Sequence, residues 1–230
     1  MLWLGTQNNE LFAPQGGLIK IKKPSQAFLI QFCEGDNMPE VKQAAQFFKS
    51  EILPYVWIFT SKKFTITLVP RKHHFKHLIG AQYSSNIILK NLRPEFFYNK
   101  ALKGEVRTSE LTDFEKPDEI VVNSWVFDRI QYFHEIPIML SNCKEIILYN
   151  KQLSSNNSQL SVDYLFFKID SSNGLYLGVR ENDSGEYDFA SFFCESKNPQ
   201  KHKSSQKCYQ VDDVRKITQS EYRTSQNCII

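Results

Sequence analysis

The sequence predicts an α+β fold: helices packed on a mainly antiparallel sheet of four or five strands, preceded by an N-terminal β-hairpin extension. Three observations predict it. Helical patterns punctuated by Pro and Gly are concentrated in residues 39–141. Four strand-type runs then follow one another across short Ser/Asn/Asp/Gly turns, which favours antiparallel neighbours. The chain of 230 residues is 41% hydrophobic and 13% aromatic, enough apolar area for one generous core and too much for wholesale disorder. The expected division is an extension over 1–38, a main domain over 39–215 and a tail over 216–230.

The elements follow in order. LIKIKK and AFLIQF read as two short strands joined at Pro24-Ser25, the first alternating apolar and basic residues. PEVKQAAQFFKSE (39–51) reads as a helix with Val41, Ala44, Ala45 and Phe48 on one face. YVWIFT and FTITLV form a hairpin or neighbouring strands. Pro70 ends the second, and RKHHFKHLIG (71–80) begins a helical turn capped by Gly80. PEFFYNKALK (94–103) has Pro94 at its first position and Gly104 just past its end, the usual helix asymmetry. Residues 105–120 read as an acidic loop. One helix is expected over 121–141, with Val126, Ile130, Phe133 and Pro137 as its stripe and Pro137 as its kink or early end. EIILYN, SVDYLFFKID, LYLGVRE and YDFASFFCE are the four strands, SKNPQKHKSSQKC (196–208) a mobile basic loop, and the last twenty residues a further strand or a trailing end.

Charge is distributed unevenly. The net charge is only +3, yet residues 60–104 carry nine basic side chains against one acidic, residues 105–195 carry seven against sixteen, and residues 196–230 carry seven against three. A near-neutral total thus contains a basic block, an acidic block and a basic tail, which points to an anionic partner. The five cysteines are widely spaced with no C-x-x-C pair, so no zinc knuckle or redox motif is offered. MLWLGTQNNE lacks the features of a signal peptide, and no apolar run approaches the roughly 20 residues that cross a bilayer. A soluble cytoplasmic protein with reduced thiols is expected, with no membrane role.

Chemistry concentrates in Arg71–Gly80, which holds three of the five histidines. Three readings of it compete. His73 and His77, at i and i+4, could present two imidazoles to a metal, but no H-E-x-x-H glutamate and no third ligand stand nearby. A helix burying Phe75, Leu78 and Ile79 would leave the cations and histidines as a solvated face. The third reading is an acid–base and phosphate site: imidazole titrates near neutrality, and neighbouring lysine and arginine hold a phosphate.

FKHLIG (Phe75–Gly80) after a strand resembles the F-x-H-L-x-G signature of a phage-associated nuclease family within the barnase–EndoU–colicin–RelE-like (BECR) group. PEFFYNKALKGEVRTSEL, the helix containing Asp128-Arg129-Ile130, SVDYLFFKID and YDFASFFCE are similar to its later segments in order and spacing, over residues 40–215. The resemblance implies a BECR-type α+β nuclease fold and metal-independent cleavage of RNA by attack of the 2′-hydroxyl. It also implies an origin in phages or other mobile elements of bacteria, and a role as toxin or effector in the cytoplasm of the host cell. No cofactor and no metal are expected. RNA is the expected partner, with an inhibitor or immunity protein as another.

His77 falls on the motif histidine and is the expected general acid or base. Lys168 or Arg129 is expected to stabilise phosphorane charge and Ser191 to orient the phosphate. Strand alternation places Tyr164, Phe166 and Lys168 on one face, and Tyr187, Phe189, Ser191 and Phe193 on one face of the last strand. Lys76, His74, Lys103, Tyr164 and Arg180 are the substrate-binding candidates. His134 reads as a packed histidine and His202 as incidental. His73 and His74 have no place in the motif, and residues 1–38 lie outside the resemblance. The rival reading is a non-catalytic module that binds RNA or a protein on a nuclease-like fold.

Overall fold

A computed structural model describes residues 40–84, 86–111, 124–153 and 160–227. The expected N-terminal hairpin lies outside the described residues. The fold is α+β, as its patterning predicts, but the sheet is larger than four or five strands. Eight strands run in the order β7-β3-β4-β5-β6-β2-β1-β8. They are β1 Tyr55–Thr60, β2 Thr65–Leu68, β3 Glu145–Leu148, β4 Tyr164–Asp170, β5 Asn173–Glu181, β6 Tyr187–Glu195, β7 Lys207–Gln210 and β8 Asp213–Thr218. All pairings are antiparallel except β2 with β6.

The sheet is enlarged by residues read as loop and tail. β7 and β8 are separated by Val211 and Asp212 alone, yet they pair with opposite edges of the sheet, β3 and β1. The linker's amides bridge the same two edges: Val211 donates to the Lys144 carbonyl (2.9 Å) and Asp212 to the Thr60 carbonyl (2.8 Å). The sheet therefore curls until one bent segment clasps both edges, so that backbone groups of β1 and β3 find partners. Phe64 fits this curl, its ring lying 5.2 Å from both Tyr164 and Tyr209.

Seven α-helices are described: α1 Val41–Phe47, α2 His74–Leu78, α3 Ile87–Asn91, α4 Pro94–Lys103, α5 Ser124–Gln131, α6 Glu135–Ser141 and α7 Gln219–Asn227. α1 opens on a reciprocal Glu40–Gln43 capping box and continues as a wider turn over Phe48–Ile52. The expected face Val41, Ala44, Ala45 and Phe48 is fully buried. Phe48, Phe75, Tyr98 and Phe133 meet at 5.5–6.3 Å between ring centres, and Phe133 reaches Phe192 of β6 at 6.5 Å. Each fully buried ring contributes roughly 1.5–3 kcal/mol, so this cluster is the main adhesive between helices and sheet.

The single helix expected over 121–141 is two helices. The break falls at Tyr132–His134, and Pro137 does not cause it. Pro137 occupies the first turn of α6, where its missing N–H leaves no intrahelical bond unmade. The basic segment 196–206, read as a mobile loop, is held at two points. The Tyr176 hydroxyl donates to the Pro199 carbonyl (2.6 Å), and His202 is buried edge-on against Tyr176 and Phe193. His202 is thus a packed residue. Beyond residue 215, β8 continues and α7 follows, its first side chain, Gln219, donating to the Leu53 and Pro70 carbonyls. Among the described residues no helix is long and apolar enough to cross a membrane.

Candidate active site

Strand β2 hands the chain to Pro70 and then to Arg71–Gly80. The Arg71 amide donates to His74 Nδ1 (3.0 Å), so this nitrogen must be the unprotonated one. The neutral ring therefore carries its proton on Nε2, which faces Asp188 Oδ1 of β6 at 3.3 Å without the alignment of a good hydrogen bond. Arg71 grips the same carboxylate with Nη1 and Glu186 with Nη2, and Asn182 adds a bond to Asp188 (3.1 Å). Burial dominates the titration of His74 and pushes its pKa down to about 4, against the opposing pull of Asp188. His74 is a buried neutral imidazole that ties α2 to β6.

Donor atoms of His73, His74 and Asp188 lie within 4.8 Å of one another, which invites a metal reading. The donor chemistry opposes it. The lone pair of His74 is committed to the Arg71 amide, its Nε2 bears a proton, and a guanidinium already neutralises the carboxylate. These residues suit an ion pair better than a divalent cation.

α2 has two unlike faces. Phe75 and Leu78 are fully buried, while His73 and His77 are part-exposed on the other side. Burial lowers the His77 pKa first, and Lys76, His73 and Arg180 lower it further. Lys76 itself is buried, its ammonium donating to the Lys90 and Leu92 carbonyls at 2.6 Å each. It closes the C-terminus of α3, a structural contact, while its charge still bears on the imidazole.

Gly80 ends the helix at φ +76°, a conformation strained for any other residue. A Cβ there would also stand 2.7 Å from Arg129 Nη1. The glycine of the motif thus makes room for the arginine of α5. Arg129 is 5% exposed, its Nη1 reaches the His77 carbonyl at 3.4 Å, and its guanidinium lies over the Tyr83 ring at 5.3 Å. Among the described residues no carboxylate stands within ion-pair distance of it, its Nε has no hydrogen-bond partner, and burial takes its pKa down to about 10. A buried cation without a counter-ion is costly unless an anion comes to it.

Five of the nine residues expected from the sequence therefore gather around α2: His77, Arg129, Arg180, Lys76 and His74. The other four make no hydrogen bond, ion pair or ring contact with that group among the described residues. Lys168 bonds to Glu135 of α6, with Asp170 at 3.9 Å, and pairs across the strand with Leu175. That is five residues from Arg180 along β5, about 17 Å at strand spacing. A cavity of about 390 Å³ lies beside it, between α6 and the start of β3. Ser191 sits opposite Gly178, where Ala190 is the extra residue of a β-bulge, and its buried hydroxyl has no hydrogen-bond partner. The bulge breaks the alternation expected for β6: Phe189 packs on His74, whereas Phe193 stacks on Tyr176 on the opposite face. Tyr164 packs between Phe64 and Tyr187, and Lys103 is an exposed lysine 3.9 Å from Glu105. Sequence reasoning missed Arg71, Asp188 and Tyr83; the first two meet 117 positions apart, a pairing that no local pattern signals.

The matching family is the one described as phage-Barnase-EndoU-ColicinE5/D-RelE like nuclease 4, over residues 40–227, and the chain belongs to it. Neither the curated proteins nor the solved structures contain a match to the chain.

Proposed function

We propose that this member of a nuclease family is a metal-independent endoribonuclease with His77 as its proton-transfer group. One observation carries the reading: a half-buried imidazole whose pKa is lowered by burial and by Lys76, His73 and Arg180, on a residue whose carbonyl meets a buried arginine that lacks a counter-ion. A neutral imidazole among cations is a proton acceptor placed where a phosphate would bind. Binding the phosphate adds negative charge, which raises the same pKa towards neutrality.

In this scheme His77 removes the proton of a ribose 2′-hydroxyl. The oxygen forms a bond to the adjacent phosphorus as the bond to the 5′-oxygen breaks. His73, one helical turn away, gives a proton to the departing oxygen. Arg180 and Arg129 supply positive charge as the nonbridging oxygens gain negative charge. Lys168 and Ser191 have no part in the scheme. Its biological setting is that of a toxin or effector of a mobile element acting on RNA in a bacterial cytoplasm.

The test is incubation with RNA in EDTA and analysis of the new ends. The expected products carry a 2′,3′-cyclic phosphate and a free 5′-hydroxyl, and a 2′-deoxy sugar at the cleaved position blocks the cut. Intact RNA with folded protein across varied substrates overturns the reading, and cleavage that requires a divalent metal replaces it with a different chemistry.

A further inference from the structure

We infer that Tyr83 is a stacking platform for one base of an unpaired RNA strand at the His77 site. This rests on the ribonuclease reading above and adds the form of substrate that the site takes.

Tyr83 closes the tight turn Ala81–Tyr83 that follows Gly80, its amide donating to the Gly80 carbonyl at 2.9 Å. Tyr83 is 46% exposed, a large exposure for an aromatic residue in an ordered turn. Arg129 holds the ring from beneath at 5.3 Å and, through Nη1, holds the His77 carbonyl at 3.4 Å. One buried side chain thereby fixes the ring and the backbone of the catalytic candidate relative to each other. A platform gains from such fixation, because little side-chain freedom remains to be lost when a base stacks.

The surface beyond Tyr83 has the same character. α3 packs against the turn and exposes Ile87 and Ile88 at 70% and 76%, and Phe96 follows on α4. Lys90 and Arg93 lie exposed between them in the chain. Apolar faces interleaved with cations suit a single strand, which offers bases and phosphates in alternation. A duplex hides its base faces and offers mostly backbone.

The test uses His77→Ala protein, with wild-type protein on 2′-O-methyl RNA as a second non-cleaving pair, and short unpaired oligonucleotides carrying 2-aminopurine at successive positions. Quenching of one position is expected on binding. Tyr83→Ala should weaken binding by roughly ten- to a hundredfold and abolish that quenching. Tyr83→Leu should match Tyr83→Ala, and Tyr83→Phe should stay within about twofold of tyrosine. If RNA binds but Ala, Leu and Tyr behave alike, the platform is overturned while the ribonuclease reading stands, and the exposed row belongs to a protein partner. Equal affinity for a duplex also overturns it. If wild-type protein neither cuts nor binds any RNA, both readings fall together.

Discussion

Two regions of this molecule combine imidazole, carboxylate and cation, and they do so with opposite outcomes. Around α6, the Lys168 ammonium bonds to Glu135, Asp170 stands 3.9 Å away, and His134 Nε2 lies 3.4 Å from the other oxygen of Glu135. Positive charge there is answered within the fold. Around α2, Asp188 and Glu186 answer Arg71, and Asp188 also faces the neutral ring of His74. Among the described residues Arg129 and Arg180 have no carboxylate within ion-pair distance; Arg129 contacts the His77 carbonyl, and the charge of Arg180 helps to lower the pKa of the His77 imidazole. Residue types alone do not separate a structural cluster from a reactive one. The balance of charge does, because on the proposed ribonuclease reading only the second region gains from a phosphate.

The largest expected effect would break this comparison if it failed. His77→Ala should lower the initial rate of RNA cleavage by about 10²- to 10⁴-fold, the usual worth of a proton-transfer group. Lys168→Met should stay within about threefold of wild type, since its charge faces Glu135 and lies about 17 Å along the strand from Arg180. Rates on an end-labelled RNA, with circular dichroism to check folding, measure both. An equal loss in the two variants would return Lys168 to the site.

A smaller effect sharpens the contrast through pH. His74 has its folded pKa depressed to about 4, from an ordinary value of 6.5. The fold therefore favours the neutral ring, and the associated stability is present above pH 6.5 and lost as pH falls towards 4. Between about pH 7.5 and about pH 5 this amounts to roughly 2 kcal/mol. His77 and His202 shift in the same direction, so the quantity to read is the difference between wild type and His74→Gln in urea unfolding at the two pH values. An identical slope in both proteins would remove His74 from the acid sensitivity of the fold.

Local features were legible in the sequence, and non-local ones were not. The Pro94–Lys103 helix and the turn ended by Gly80 are written in proline, glycine and apolar spacing. His77 and Arg129, on two segments of the resemblance, stand close in the fold, and Arg180, the weaker candidate from the sheet, is near enough to act on the His77 imidazole. The β-bulge at Ala190 was hidden, because an inserted residue leaves a strand looking like a strand while reversing the faces after it. The clasp of β7 and β8 was hidden too, since polar edge strands resemble a loop until their partners, β3 and β1, are known. The partners of Lys168 and Arg71 stand 33 and more than 100 positions away, so their charges looked available when the fold had already spent them.

The smallest expected effect asks whether the α6 region can be made to resemble the α2 region. Glu135→Gln removes the charge that answers Lys168 and leaves an ammonium that is about one-third exposed beside a neutral amide. Because water reaches that ammonium, the loss should fall below the value for a fully buried pair, at about 1–2 kcal/mol in urea unfolding. Lys168→Met in the same chain removes the orphaned charge and keeps the methylene stem against its neighbours, so the double variant should recover part of the loss. Recovery identifies a coupled pair whose value lies in mutual neutralisation. Strict additivity would mean that the two charges are independent, and the α6 cluster would then hold an unanswered cation like Arg129.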